Sequence, residues 1–344
     1  MKRIKNQLNI ELAAPAMIMA FGICFVDVIK FIPLTSSLEY LLIIMFTLSS
    51  LIIFTLVAIY HINMNSVKEL LLHPIRIFAI GTWIAALSTF LIVLNQYEIL
   101  NHSTLTKIAI INMCLLCFFI LCCMYGFIQL FVHKELKVDG IVLLSTVSIQ
   151  SVVIMHFFIF DSAIHSLTPL FISLGLICYV IGLTFMIIDF KRRHWTLADG
   201  WANTNCIIHG ALSITGLASV LTQSFTNVFI LALLCLTTVL FFIVETIECI
   251  RLFHRFKQYH LRDGVFNYHV TQWSRNFTFG MFFTFIYTVQ AKGLLNFSEL
   301  LSSVTSVFLH VWAIIVVIFL IIETMLFIHS KLILLSRKRK VSIH

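Results

Sequence analysis

Residues Gln272–Thr288 read Q-W-S-R-N-F-T-F-G-M-F-F-T-F-I-Y-T. The segment has about the length of one membrane crossing, but it is not a plain lipid-facing helix. Gln272, Ser274, Arg275, Asn276, Thr278, Thr284 and Thr288 alternate with five phenylalanines, and Gly280 sits near the middle. At 3.6-residue spacing, Gln272, Arg275 or Asn276, Phe279, Phe282 or Phe283, and Ile286 share one face. That face begins polar and becomes aromatic toward its centre. Hydrocarbon is a poor partner for an arginine about one turn from the bilayer midplane. The face is therefore expected to point into protein or into water.

The rest of the chain sets this segment in a membrane. Of 344 residues, 60% are hydrophobic and 11% charged, with a mean hydropathy of +1.03. A soluble domain carries about a quarter charged residues. Apolar runs near 20 residues recur and divide the chain into ten expected spans. They lie at about 12–32, 38–60, 75–97, 106–132, 138–160, 167–190, 204–222, 226–250, 270–291 and 301–329. Short connections leave no room for a soluble domain, so residues 1–344 read as one transmembrane domain. The basic start, Met1 to Glu11, is followed by no small-residue cleavage site, so no cleavable signal peptide is expected.

The net charge of +8 has a topological explanation. Of the 23 lysines and arginines, Lys30, Lys107 and Lys292 fall on one side of the ten-span chain and Arg275 lies within a span. The other nineteen fall on the side of the two termini, which the positive-inside rule makes cytoplasmic. Topology and anionic lipid account for the basic residues without nucleic acid. The nine cysteines lie mostly within apolar runs and read as soft apolar side chains, with no metal site implied.

Odd and even spans differ in character. The odd spans recur about 62–68 residues apart and hold Gly22, Gly81, Gly140, Gly210, Gly216 and Gly280. Spans five and seven carry Ser145, Thr146, Ser148, Gln150 and Ser151, then Asn205, Ser213, Thr215 and Ser219, while even spans four, six and eight are mostly Leu, Ile, Phe and Val. Small and polar residues let helices approach closely or line water. Odd spans inside and even spans outside is the expected arrangement.

The string F-T-F-G after Trp273 resembles the ninth helix of the tellurite-resistance/dicarboxylate transporter family, which includes TehA-like proteins, fungal malate permeases and plant slow-type anion channels. Pro15-Ala16 at the first span and E-L-L-L-H-P-I-R, Glu69 to Arg76, before the third are further matches in the same order. The resemblance implies an all-α integral membrane fold, with ten transmembrane helices as five tandem hairpins around a central pore. It also implies a homotrimer with one pore per subunit, and a phenylalanine plug at the position of Phe279. Prolines often kink the family's inner helices; here Pro15 alone falls in an inner span, so any kinks fall to Gly, Ser or Thr.

The candidate site residues follow. Phe279 is the gate, with Phe282 and Phe283 as neighbours that position it. Gln272, Arg275 and Asn276 are candidates for the pore lining. Arg275 has two readings: it raises the anion concentration in the path, or it pairs with Glu245 or Glu248 of span eight. His209 and Ser213 share a face with Cys206 and Gly216 and are candidates for the lining or for packing. Asp27 and Lys30, at i and i+3, are expected to pair. Glu245, Glu248 and Glu323 read as a proton relay or as partners of Arg251 and Arg255. Trp195 and Trp201 flank the basic loop Lys191 to Arg193 as an interfacial belt.

Catalytic motifs such as H-E-x-x-H, G-x-S-x-G or a phosphate-binding glycine loop do not occur. No enzyme activity and no cofactor are expected. The expected function is passage of small anions through an aromatic-gated pore in the cell membrane. The alternative is a proton-coupled carrier of a dicarboxylate such as malate, or an exporter of sulfite or tellurite. An integral-membrane enzyme is the remaining class, and the scattered histidines argue against it.

Overall fold

Ten α-helices follow one another in the computed structural model, which describes residues 13–61, 70–133, 135–160, 167–193, 200–258, 268–295 and 298–341. They are α1 (Ala16–Val26), α2 (Ser36–His61), α3 (Ile80–Gln96), α4 (His102–Val132), α5 (Leu144–Ile159), α6 (Thr168–Arg192), α7 (Ile207–Thr222), α8 (Asn227–Gln258), α9 (Trp273–Ala291) and α10 (Glu299–Val341). Among the described residues there is no strand. Glu69 of the E-L-L-L-H-P-I-R string and Trp195 lie outside the described residues.

Eight of these helices are long and apolar enough to cross a membrane. The two others are α1, which is 11 residues long, and α9, whose first turns carry the polar string. Both are enclosed by other helices. Ten of the eleven residues of α1 are buried, as are most of those of α9. A helix walled in by protein does not have to meet the composition that lipid demands. The helix ends lie close to the expected spans, except that α1 stops at Val26 and a 3₁₀ turn, Val28–Phe31, completes its span, while α8 and α10 continue past 250 and 329 to Gln258 and Val341. The extensions of α8 and α10 are basic, as a segment leaving hydrocarbon for the headgroup zone would be.

Burial separates odd from even. In the most apolar stretch of α3, α5 and α7, each taken with the 3₁₀ turn before it, 83%, 78% and 94% of residues are buried. The corresponding shares in α2, α4, α6, α8 and α10 lie between 22% and 33%. The packing follows the same division. Each odd helix packs on the next, α1 on α3, α3 on α5, α5 on α7 and α7 on α9, and α9 packs back on α1. The five odd helices thus close a ring, and the even helices lie against its outer surface.

A glycine sits at every seam of that ring. A Cβ on Gly22 would meet Thr89, on Gly81 Ser148, on Gly140 the Thr204 carbonyl, on Gly210 Thr278, and on Gly280 Ile23. The five contacts cover the α1–α3, α3–α5, α5–α7, α7–α9 and α9–α1 seams in turn. Backbones brought this close gain dispersion contacts that larger side chains would prevent.

The inner helices α3, α5, α7 and α9 each begin with a 3₁₀ turn: Arg76–Ala79, Gly140–Leu143, Asn203–Cys206 and Val270–Gln272. Local caps fix two of these entries. The Asp139 carboxylate accepts from the Ile141 N–H at 2.9 Å. His269 and Gln272 form a capping box, in which Gln272 Oε1 accepts from the His269 N–H at 2.7 Å.

Candidate functional site

The ring encloses two cavities at opposite ends of its axis, each lined by all five odd helices. The larger, about 350 Å³, lies at the C-terminal ends of the odd helices. Its wall is mostly apolar, with Ile23, Ile92, Ile154, Ile214 and Leu217 among its lining residues. Thr89, Ser151, Thr284, Thr288, Tyr287, Asp27 and Lys292 supply the polar groups. Lys30 Nζ holds Asp27 Oδ1 at 2.8 Å, the pair expected from their spacing. The smaller cavity, about 20 Å³, lies at the N-terminal ends. Met19, Thr82, Val147, Ile207, Ser274 and Phe277 are among its lining residues, and Phe277 is the single aromatic side chain there. A space of this size holds about one water. Between the two cavities α9 rises by one turn, from Phe277 to Met281.

None of the residues nominated from the sequence as gate or pore lining borders either axial cavity. α9 has two working faces. Thr271, Ser274, Phe277, Met281, Thr284 and Thr288 face the ring axis. Gln272, Arg275, Asn276 and Phe279 lie on the opposite face and line a third cavity, of about 300 Å³, on the outside of the ring. α8, packed on α7, and α10, packed on α9, flank this lateral cavity.

Phe279 is 5% exposed and packs among aromatic rings. Its ring centroid lies 5.2 Å from that of Trp312, 5.6 Å from Phe319, 5.7 Å from Phe241 and 6.5 Å from His209. Trp312 Nε1 also donates to the Phe279 carbonyl at 3.2 Å. Phe282 stacks on Phe241 at 4.5 Å, and Phe283 meets Phe31 edge-on at 5.1 Å. These three rings tie α9 to α8, α10 and the 3₁₀ turn Val28–Phe31 after α1, and none lines an axial cavity.

Arg275 takes the second of its two sequence readings. Its Nη2 lies 2.6 Å from Glu248 Oε1 and its Nε 3.8 Å from Glu245 Oε2. His209 Nε2 lies 3.4 Å from Glu245 Oε1, and Trp201 Nε1 donates to Glu248 Oε1 at 2.9 Å. Arg251 Nη1 lies 3.4 Å from Glu248 Oε2 and donates to Asn203 Oδ1 at 2.8 Å. Histidine, two carboxylates and two guanidinium groups thus form one network between α7, α8 and α9. Glu323 of α10 is 6% exposed and lines the same cavity, and its Oε1 has no hydrogen-bond partner among the described residues. Trp201 is buried against Glu248 and Phe190, not placed in an interfacial belt.

The hydroxyls of the inner helices also serve packing more than an axial path. Thr146 Oγ1 donates to the Gly175 carbonyl and Gln150 Nε2 to the Ile172 carbonyl, both toward α6. Ser213 Oγ donates to the His209 carbonyl in its own helix at 2.9 Å.

The sequence contained a signal for this arrangement. Glu245 and Glu248, at i and i+3 in an apolar helix, require a buried cation, and Arg275 is the one cation within a span. Matching them turns one face of α9 outward and leaves Phe277 on the axis. Compared with protein-family models and with curated proteins, the chain matches none.

Proposed function

We propose that this protein passes small anions across the cell membrane along the axis of the five-helix ring. On this reading α1 and α9 also cross the bilayer, giving ten crossings as five hairpins with both termini cytoplasmic. The observation that carries the proposal is the pair of cavities at opposite ends of one axis, each bordered by all five inner helices. The resemblance of Trp273–Gly280 to the tellurite-resistance/dicarboxylate transporter family supports the same reading, and with it a homotrimer. The exposed apolar side chains of α2, α4, α6, α8 and α10 offer the surface for lipid and for neighbouring copies.

The gate assignment moves from Phe279 to Phe277. An aromatic ring in a space of about 20 Å³ closes the path by bulk and by excluding water. Among the described residues the lining of the axial cavities carries one charge without an ion pair, Lys292, beside the neutralised Asp27–Lys30 pair. This gives a weakly positive mouth, which favours anions.

A second reading, proton-coupled transport, is favoured by one observation. His209, Glu245, Glu248 and Glu323, the titratable groups that a coupled carrier requires, border or adjoin one lateral cavity. Reconstitution into liposomes separates the two. Anion flux driven by voltage alone supports conduction. Flux that occurs only with a proton gradient supports coupling, and no flux under either condition overturns both.

A further inference from the structure

We infer that the larger axial cavity is a binding site for an organic monoanion, a carboxylate carried on an apolar body, and not a passage shaped for hydrated inorganic ions. The inference rests on the axial path proposed above and names its substrate class. Four observations lead to it.

The first is size. A cavity of about 350 Å³ lies in the range of small-molecule pockets and is many times the volume of a single inorganic ion. The second is the wall. Ile, Leu, Val, Met and Phe side chains from all five inner helices make up most of it. Such a surface gives nothing to an ion that must keep its hydration shell, and gains by covering apolar carbon.

The third is the direction of the hydroxyls. Thr89 donates to the Ala85 carbonyl at 2.9 Å, Ser151 to the Ser148 carbonyl at 2.8 Å, and Thr288 to the Thr284 carbonyl at 2.7 Å. Their hydrogens are spent within their own helices, so they offer the cavity lone pairs, which repel an anion. Thr284 differs. It is 1% exposed and its hydroxyl is directed at the Asp27 carboxylate, yet among the described residues its Oγ1 reaches no hydrogen bond of ordinary geometry. A buried hydroxyl left in this state is unusual and calls for a partner. The fourth is charge. Asp27 is held by Lys30, whereas Lys292, just past the end of α9, has no ion pair among the described residues, so the described lining carries a net single positive charge.

Two hydroxyls, Thr284 and Tyr287, and the Lys292 ammonium group, all at the C-terminal end of α9, define a polar end. The Ile and Leu wall defines an apolar end. A monocarboxylate fits with its head between Thr284 and Lys292 and its carbon chain along Ile23, Ile92 and Ile214. A second carboxylate would have to enter the apolar wall, where an unpaired charge is costly.

The test is binding to the purified full-length protein by calorimetry, independent of transport. The probes are acetate, butyrate, hexanoate, benzoate and succinate, with hexanol as the uncharged control. We expect one saturable site per chain and affinity rising about fourfold per added methylene. Succinate should bind more weakly than butyrate, and hexanol about tenfold more weakly than hexanoate. Thr284→Val, nearly isosteric, should lower hexanoate affinity about tenfold, and Lys292→Gln should lower that of every carboxylate. The ligand series needs no variant and stands if either substitution impairs folding. Affinity independent of chain length, or hexanol binding as well as hexanoate, overturns the inference. So does Thr284→Val binding like the wild type. Voltage-driven chloride flux without carboxylate binding would overturn it while leaving the axial path intact; carboxylate binding without any flux would do the reverse.

Discussion

Replacing Arg275 separates its two roles, because the structure predicts a loss of stability where a place in the conduction path predicts a loss of flux. Arg275→Gln removes the guanidinium between Glu245 and Glu248. Glu248 retains Arg251 at 3.4 Å and the Trp201 indole at 2.9 Å, whereas among the described residues Glu245 retains only His209, at 3.4 Å. Removing one partner of a buried ion pair costs about 3–5 kcal/mol. The Arg275 side chain is 27% exposed, so the lower end, about 3 kcal/mol, is expected. Glu248→Gln is milder. Arg275 keeps Glu245 at 3.8 Å, Arg251 keeps Asn203 at 2.8 Å, and the amide oxygen still accepts from Trp201. Its cost should be about 1–2 kcal/mol. In the double variant the carboxylate that lost its 2.6 Å partner is gone, so the cost should fall well below the sum of the two. Unfolding in mixed micelles measures all three, and liposome flux on the surviving folded fraction supplies the second axis. An Arg275→Gln protein as stable as wild type but with reduced anion flux would refute the structural role. Strictly additive costs would refute the network.

The remaining predictions concern the ring. Phe277→Ala should raise anion flux in liposomes strongly, whereas Phe279→Ala should leave flux near wild type and lower stability by about 3–5 kcal/mol through the cavity left among Phe241, Trp312 and Phe319. Gly280→Ala places a Cβ 2.5 Å from Ile23 Cγ2 and should cost about 1–3 kcal/mol, read by thermal unfolding; Ile23→Ala should recover part of it. Lys107→Cys and Lys191→Cys are exposed at opposite ends of the bundle. An impermeant thiol reagent should label the first from outside intact cells and the second only after permeabilisation, and labelling of both from outside would remove the proposed topology.

The sequence shows its helices, seams and layers more plainly than its site, and the physical reason differs in each case. Apolar runs mark helices because the bilayer permits little else. Gly22, Gly81, Gly210 and Gly280 mark seams because close backbone approach tolerates no Cβ, and a sequence carries that requirement at a single position. The apolar evenness of α4 and α8 against the polar content of α5 and α7 marks outside and inside. The face of α9 could not be read from α9 alone. Both of its faces mix polar and aromatic residues, and the choice depends on which one meets Glu245 and Glu248, about 30 residues earlier in the chain. The polar residues of α5 mislead in a similar way. Thr146 and Gln150 are polar because they bind the backbone of α6, and a donor satisfied by a neighbouring helix has the same letter as one that faces water.

The two faces of α9 make this helix the physical link between the axis and the lateral network. Phe277 on one face and Phe279 on the other are two residues apart, so a rotation of α9 moves both rings together. The network around Arg275 fixes that rotation from outside, through Glu245 and Glu248 on α8, and the Trp312 hydrogen bond to the Phe279 carbonyl fixes it from α10. Gly280 against Ile23 and Gly210 against Thr278 leave α9 little room to shift laterally, but a glycine seam resists rotation less than interlocked side chains do. A change in the charge of the network therefore has a mechanical route to Phe277 that needs no movement of the other four inner helices. Coupling by this route predicts that Glu248→Gln alters the rate of anion flux in a Phe277-containing protein and not in Phe277→Ala, because with the ring gone the rotation of α9 no longer sets the width of the path. Liposome flux of the four proteins decides it: equal effects of Glu248→Gln in both backgrounds would separate the lateral network from the axis.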